Sequence, residues 1–204
     1  MRVLAGLLCM AALSAADGAA QGADFELEPA GSSLRFTAIQ QGAKFESHFE
    51  NFTAQVHFDP AQPEAGRITA QINLGSVDTG NPERDEVVAG GDWFNLAQWP
   101  EATFTANRIA REGEGYVAKG SLKLRDTTAP VTFRFRWTPE TAGQPARLVG
   151  SASLERLAFG IGQGQWRDTS YVGNAVDVQA DIRLRPVIGS VNSVINKGKT
   201  PNAR

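Results

Sequence analysis

From residue 25 to about residue 186 the chain alternates apolar and polar positions with a period of two. Leu34, Phe36 and Ala38 alternate with Arg35 and Thr37; Phe52, Ala54, Val56 and Phe58 with Thr53, Gln55 and His57; Ile68, Ala70, Ile72 and Leu74 with Arg67, Thr69, Gln71 and Asn73. Further on, Val131, Phe133, Phe135 and Trp137 face away from Thr132, Arg134, Arg136 and Thr138, and Val176, Val178, Ala180, Ile182 and Leu184 from Asp177, Gln179, Asp181 and Arg183. Successive side chains of a strand point to opposite faces, so each run predicts a strand with one dry and one wet face, as in an antiparallel sheet.

Turn signals at Asp59-Pro60, at residues 112–115 (Glu-Gly-Glu-Gly) and between Pro139 and Pro145 separate the runs into hairpins. About eight strands result, and a twisted sheet of that size either splits into a sandwich or closes, closure being what removes exposed edges. Eight is also the count at which a barrel interior can hold one small ligand. The expected fold is therefore all-β, an antiparallel eight-stranded barrel.

One stretch breaks the period. Asn81, Pro82, Glu83 and Asp85 read as an N-cap, a first-turn proline and first-turn acids, with Gly90 and Gly91 as the stop, which predicts a short helix. Asp92 to Leu96 and Trp99-Pro100 suggest a second short helical turn. The whole aromatic-rich insertion is expected to lie across one end of the barrel.

The termini fall outside this pattern. Arg2, an apolar run from Val3 to Ala16 and the small residues that follow read as a signal peptide over residues 1–20, cut after Ala16 or Ala20. The run falls short of the roughly 20 residues a spanning helix needs. Residues 21–186 then form one domain, exported to the periplasm, and residues 187–204, with Lys197, Lys199 and Arg204 among Asn, Gly and Ser, read as a flexible tail. The only cysteine, Cys9, lies in the leader, so packing and not disulfides must hold the mature domain. A net charge of −2 with interspersed signs argues against nucleic acid as a partner.

Candidate chemistry is sparse. A hydrolytic triad needs a histidine, and the two available, His48 and His57, both fall on the polar, outward phase of their strands. Their spacing to Glu46 and Glu50 matches no zinc motif. Acid pairs such as Asp78 with Asp85 are explained by helix capping and solvated charge. The glycine-containing run 159–166 follows a strand but opens no helix, so it is expected to be a bulged bend or loop rather than a phosphate cradle. Neither a catalytic nor a metal-binding set is expected, and no cofactor.

Aromatic side chains on the dry face are abundant instead: Phe36, Phe45, Phe49, Phe52, Phe58, Phe104, Phe133, Phe135 and Trp137, sharing that face with small residues such as Ala38, Ala54, Ala70, Ala118, Gly120, Gly150 and Ala180. Large and small residues can interdigitate into a filled core. They can equally leave a tunnel ringed by aromatics. Alternation alone leaves both arrangements open.

The run from Ser76 to Phe104, SVDTGNPERDEVVAGGDWFNLAQWPEATF, resembles the signature of the YceI-like family of bacterial periplasmic polyisoprenoid-binding proteins. Three further blocks agree in order: SSLRFTAIQQGAKFESHFENFTAQVHFDP, GSLKLRDTTAPVTFRF, and LERLAFGIGQGQW with VDVQADIRL. The resemblance implies a lipocalin-like barrel with a helix near its mouth, a hydrophobic tunnel for a long isoprenoid chain, and a binding or carrier protein rather than an enzyme. Phe36, Phe45, Phe49, Phe52, Phe104, Phe133, Phe135 and Trp166 would then line the tunnel, with Trp93, Phe94 and Trp99 near its entrance. Arg84 and Asp85 would contact a head group or form a helix-to-strand salt bridge. The stretch Gln40 to Ala43 and the ending at Trp166 look closer to the branch associated with membrane b-type cytochromes, which implies an isoprenoid quinone as an alternative ligand and such a cytochrome as partner. The family pattern is broken at His48 and Asp126, where glycines are usual.

Overall fold

The computed structural model describes residues 22–187. The expected leader, residues 1–20, and nearly all of the expected tail lie outside the described residues. Among the described residues ten strand segments form a single antiparallel sheet: β1 (Ala23–Gln40), β2 (Ala43–Phe49), β3 (Phe52–Phe58), β4 (Arg67–Asn73), β5 (Val77–Asp78), β6 (Glu101–Glu112), β7 (Gly115–Leu124), β8 (Thr127–Thr138), β9 (Ala146–Glu155) and β10 (Ala175–Pro186). β10 pairs with both β9 and β1, which closes the sheet.

The ten segments trace eight continuous strands. β2 runs on into β3 across Glu50 and Asn51, both pairing with β1, and β4 runs on into β5 across a 3-10 turn at Leu74–Ser76. The two breaks lie side by side and satisfy each other's backbone. Ser76 O accepts from Glu50 N at 3.0 Å, Ser76 Oγ accepts from Asn51 N at 2.9 Å, and Asn51 O accepts from Asn73 N at 3.0 Å.

Closure itself turns on a bulge in β1, where the register to β10 shifts between Glu28 and Ser33. Gly31 takes a left-handed φ of +79°, and a Cβ there would meet the Arg183 guanidinium. Ser32 Oγ repairs the broken ladder, accepting from Arg183 N at 2.9 Å and donating to Glu28 O at 2.6 Å. A bulge of this kind bends the strand and increases its twist, as closing a barrel requires.

The single α-helix among the described residues, α1 (Pro82–Ala89), follows the cap logic of its sequence: Asn81 Oδ1 accepts from Arg84 N at 3.0 Å, Pro82 sits in the first turn, and Gly90 caps the end. The second expected helical turn is not a helix. Residues 91–99 form consecutive turns closed by Trp93 N to Gly90 O and Trp99 N to Asn95 O bonds, both 3.0 Å.

The interior divides into two apolar clusters along the barrel axis. In the lower one, Phe58, 2% exposed, meets Tyr116, Phe135 and Trp137 edge-to-face at centroid distances of 4.8, 5.6 and 5.1 Å, and Phe25 closes on Trp137 at 5.1 Å. The small residues Ala54, Ala106, Ala118 and Ala180 are the seats for these rings. This half of the barrel is filled. The outer face carries ion pairs, among them Arg147, whose Nε donates to Asp181 Oδ1 at 2.7 Å, and Arg185 with Glu28.

Two outcomes are expected. Phe58→Ala should cost about 3–5 kcal/mol, read by urea unfolding at neutral pH. The Arg147 hydrogen bond holds the Asp181 carboxyl below its ordinary value, as Arg185 does for Glu28. A carboxyl depressed on folding adds stability above its unfolded pKa and loses it as pH falls through the folded one. Unfolding midpoints should therefore drop below about pH 4, and Asp181→Asn should make that drop shallower by about 0.2–1 kcal/mol.

Candidate functional site

Above the filled half the barrel opens into a cavity of about 380 Å³, at the low end of the roughly 300–1,000 Å³ range of small-molecule pockets. Its wall comes from three sources. The upper halves of β1 and β2, with β10, supply Leu34, Phe36, Ala38, Phe45, Phe49, Val176 and Val178; β4, β6, β7 and β9 supply Ile72, Ala102, Leu122, Leu124 and Leu154. The rest comes from the non-strand cover: Val87 and Val88 of α1, Trp93 and Phe94 of the turns behind it, and Phe159, Ile161, Trp166 and Val172 of the β9–β10 connection. Polar groups are few: Thr79, Asn81, Glu83 and Arg84 stand by the helix, while Gln40, bridged to Val172, and Arg156 belong to the side of the β9–β10 connection.

Of the bulged bend or loop that the glycines suggested, the β9–β10 connection is the loop. It is a lid of two 3-10 turns, Arg156–Phe159 and Gly164–Arg167, in which Gly160, Gly162 and Gly164 all adopt positive φ. One side chain organises it. Arg156, 4% exposed, gives each of its five N–H donors to a backbone carbonyl. Nε donates to Gly173 O at 2.9 Å, Nη1 to Ile161 O at 2.9 Å and Gly162 O at 3.2 Å, Nη2 to Trp166 O at 2.6 Å and Val172 O at 2.7 Å. Its guanidinium also lies 5.6 Å from the Trp93 ring centroid. Burial pushes this guanidinium below its ordinary pKa, yet arginine stays a cation in proteins, and the carbonyl dipoles take the place of water around it.

A second arginine ties the cover together. Arg125, at φ +57° in the two-residue turn between β7 and β8, donates through Nη1 to Trp93 O at 2.7 Å and Gly160 O at 2.6 Å, while its guanidinium stacks 4.9 Å over Trp99. Asp92 O accepts from Gly162 N and Gln163 N at 2.7 and 2.8 Å. Turns and lid thus form one cap.

The expected site residues divide accordingly. Phe36, Phe45, Phe49, Trp93, Phe94, Trp166 and Arg84 line the cavity. Phe36 lies 5.5 Å from Phe49, which lies 6.3 Å from Phe94. Phe52, Phe104, Phe133 and Phe135 do not line it; they belong to, or pack against, the filled cluster below. Trp99 does not line the cavity and serves as the platform for Arg125. Asp85 is turned away as well: its Oδ1 accepts from Thr79 N at 3.0 Å and Thr79 Oγ1 at 2.7 Å, fixing α1 to β5. Arg84 makes no salt bridge among the described residues; it donates to Thr79 O at 3.3 Å and stacks 4.3 Å over Phe45.

Sequence reasoning did not single out Arg156, whose place at the end of a strand resembles any wet-face position. The glycines after it were the available signal. His48 is exposed, 3.7 Å from Asp78, and with Glu50 it forms a cluster of ligand-type atoms within 4.8 Å of one another. All three are solvated, and surface ion pairing accounts for them. His57 Nδ1 lies 2.7 Å from Asp24 Oδ1 on the barrel's outside.

These features define a closed eight-stranded β-barrel, filled at one end and hollow and apolar at the other, with a pinned cap over the hollow. The chain belongs to the YceI-like family, whose domain model matches residues 25–184. A UPF0312 protein of Pseudomonas aeruginosa (strain LESB58) is 31% identical over 167 residues, 78% of this chain and 87% of the relative, and one of Yersinia pestis (strain Pestoides F) is 32% identical over 134 residues, 64% and 70%. Among solved structures, Burkholderia cenocepacia BcnA superposes with a TM-score of 0.73 at 31% identity, covering 78% of this chain and 99% of BcnA. A polyisoprenoid binding domain from Saccharophagus degradans superposes at 0.64 and 16% identity, covering 80% and 98%, which shows a shared fold.

Arg156→Met should leave five carbonyls without their donor and cost on the order of 3 kcal/mol or more. Urea unfolding should register the loss, and amide exchange should show protection falling across residues 156–174 before it falls in β6 to β8.

Proposed function

We propose that this protein binds an isoprenoid lipid in the capped cavity and carries it through the periplasm, without chemically altering it. The observation that carries this reading is the cavity wall: mostly aliphatic and aromatic, with Thr79, Asn81, Glu83 and Arg84 on the helix side and Gln40 and Arg156 as the other polar groups. Burying a prenyl chain there gains about 0.8 kcal/mol per CH₂, while the polar cluster around Arg84 and Asn81 suits a head group at the mouth. The S. degradans domain that shares the fold is described as binding polyisoprenoid, which supports the same ligand class. A binding role also fits the ionisable groups of the wall, because Arg156 has every donor engaged and Glu83 and Arg84 stand at the rim. The periplasmic setting rests on the leader read at residues 1–20. Among the described residues no helix is long and apolar enough to cross a membrane.

The test is mass spectrometry of whatever co-purifies, under native conditions, with the full chain expressed in a bacterium that exports it. A stoichiometric prenyl lipid or isoprenoid quinone is the expected result; a protein that carries none and takes up none when offered it overturns the proposal. Phe36→Ala and Phe94→Ala should each weaken uptake by about tenfold, measured by titration against a fluorescent prenyl probe.

A further inference from the structure

Resting on that reading of the cavity, we propose that its helix side is a head-group site for an anion, so that this chain prefers a lipid ending in a phosphate ester to the same lipid ending in a hydroxyl. Arg84 supplies the charge. Its guanidinium donates to Thr79 O at 3.3 Å and lies 4.3 Å from the Phe45 ring centroid, which together hold it at the cavity wall. No carboxylate among the described residues pairs with it. The acids nearby are engaged elsewhere: Asp85 Oδ1 accepts from Thr79 N and Thr79 Oγ1, and Asp78 Oδ1 accepts from Gly80 N at 2.7 Å. Glu83, adjacent to Arg84 in sequence, is exposed, and consecutive residues of a helix do not face each other.

The hydrogen-bonding capacity left over around Arg84 is mainly on the donor side. Ser47 stands between Phe45 and Phe49 on the inward phase of β2, 2% exposed, and its hydroxyl has no partner. β2 pairs with β5 at His48–Asp78 and Phe49–Val77. The next step of that register brings Ser47 level with Thr79, whose carbonyl Arg84 holds. The Asn81 side chain uses its oxygen to cap α1, which leaves its amide N–H groups free at the cavity wall. A buried hydroxyl without a partner is costly, and a ligand oxygen beside Ser47 removes that cost. A prenol offers one hydroxyl to this set of donors. A phosphate offers three acceptor oxygens and the countercharge, and a guanidinium meets it through paired, parallel hydrogen bonds.

The experiment titrates the full chain with geranylgeraniol and with geranylgeranyl phosphate, which share one tail, following tryptophan fluorescence, since Trp93 and Trp166 line the cavity. The phosphate should bind about tenfold tighter or more, the scale of a hydrogen bond to a charged group. Arg84→Met should bring the two affinities within about threefold of each other. Glu83→Gln, which removes the acid of the cavity wall, should widen the gap instead. Inorganic phosphate should fail to displace the lipid; displacement at concentrations near those of the lipid marks a site for the free ion and overturns the head-group assignment. A prenol that binds the wild type as tightly as its phosphate overturns the anion site and leaves the lipid-binding reading standing. Failure of both lipids to bind overturns that reading and the anion site with it. If Arg84→Met does not fold, the wild-type pair and Glu83→Gln decide.

Discussion

Pairing of the first strand with the last turns a twisted sheet into a ring, and the ring determines how every inward side chain is used. An eight-stranded bore is narrow enough for side chains to fill it, so large residues must sit opposite small ones wherever it is solid. The chain meets this demand at one end with Phe58, Tyr116, Phe135 and Trp137 seated over Ala54, Ala106 and Ala118. At the other end the second and third strands each break, at residues 50–51 and 74–76, and their far halves pair with each other and with β1. That half of the ring encloses space which strands alone do not fill, and a helix, a set of turns and a lid cover it.

The closing seam depends on one small device. The β1 bulge at Gly31 and Ser32 moves the register by the amount the ring needs, and the Ser32 hydroxyl restores a bond the bulge would otherwise remove. The ion pairs of Asp181 and Glu28 flank the same seam on the outside. The packed interior and these edge bonds are thus parts of one closure, in a barrel whose described residues include no cysteine to share the task.

Period-two alternation showed which residues face inward, and the cap residues Asn81, Pro82 and Gly90 marked α1 to the residue. Alternation is blind to depth along the bore. Phe36 and Phe133 obey the same phase, yet one lines the cavity and the other packs against the filled cluster, because that depends on how far along the bore each residue lies. For the same reason the tunnel and the filled core were both half right, each for one end. Arg156 was hidden differently: a charge buried among carbonyls looks, in a string of letters, like a charge in water. Asp85 followed the local rule, its carboxylate engaged by the neighbouring strand end rather than by anything in the hollow.

The single-guanidinium anchor of the lid has a kinetic meaning. Five carbonyls share one donor group, so the lid cannot peel open a residue at a time; releasing any large part of it exposes most of the set together. The opposite wall is lightly held. α1 contributes no fully buried residue, and its ties to the barrel include the Thr79–Asp85 pair and Arg84, which donates to Thr79 O and stacks over Phe45. Under the proposed carrier role, cargo would pass on the helix side, with a residence time set by how often the eight residues of α1 lift and not by how tightly the aromatic cap is packed.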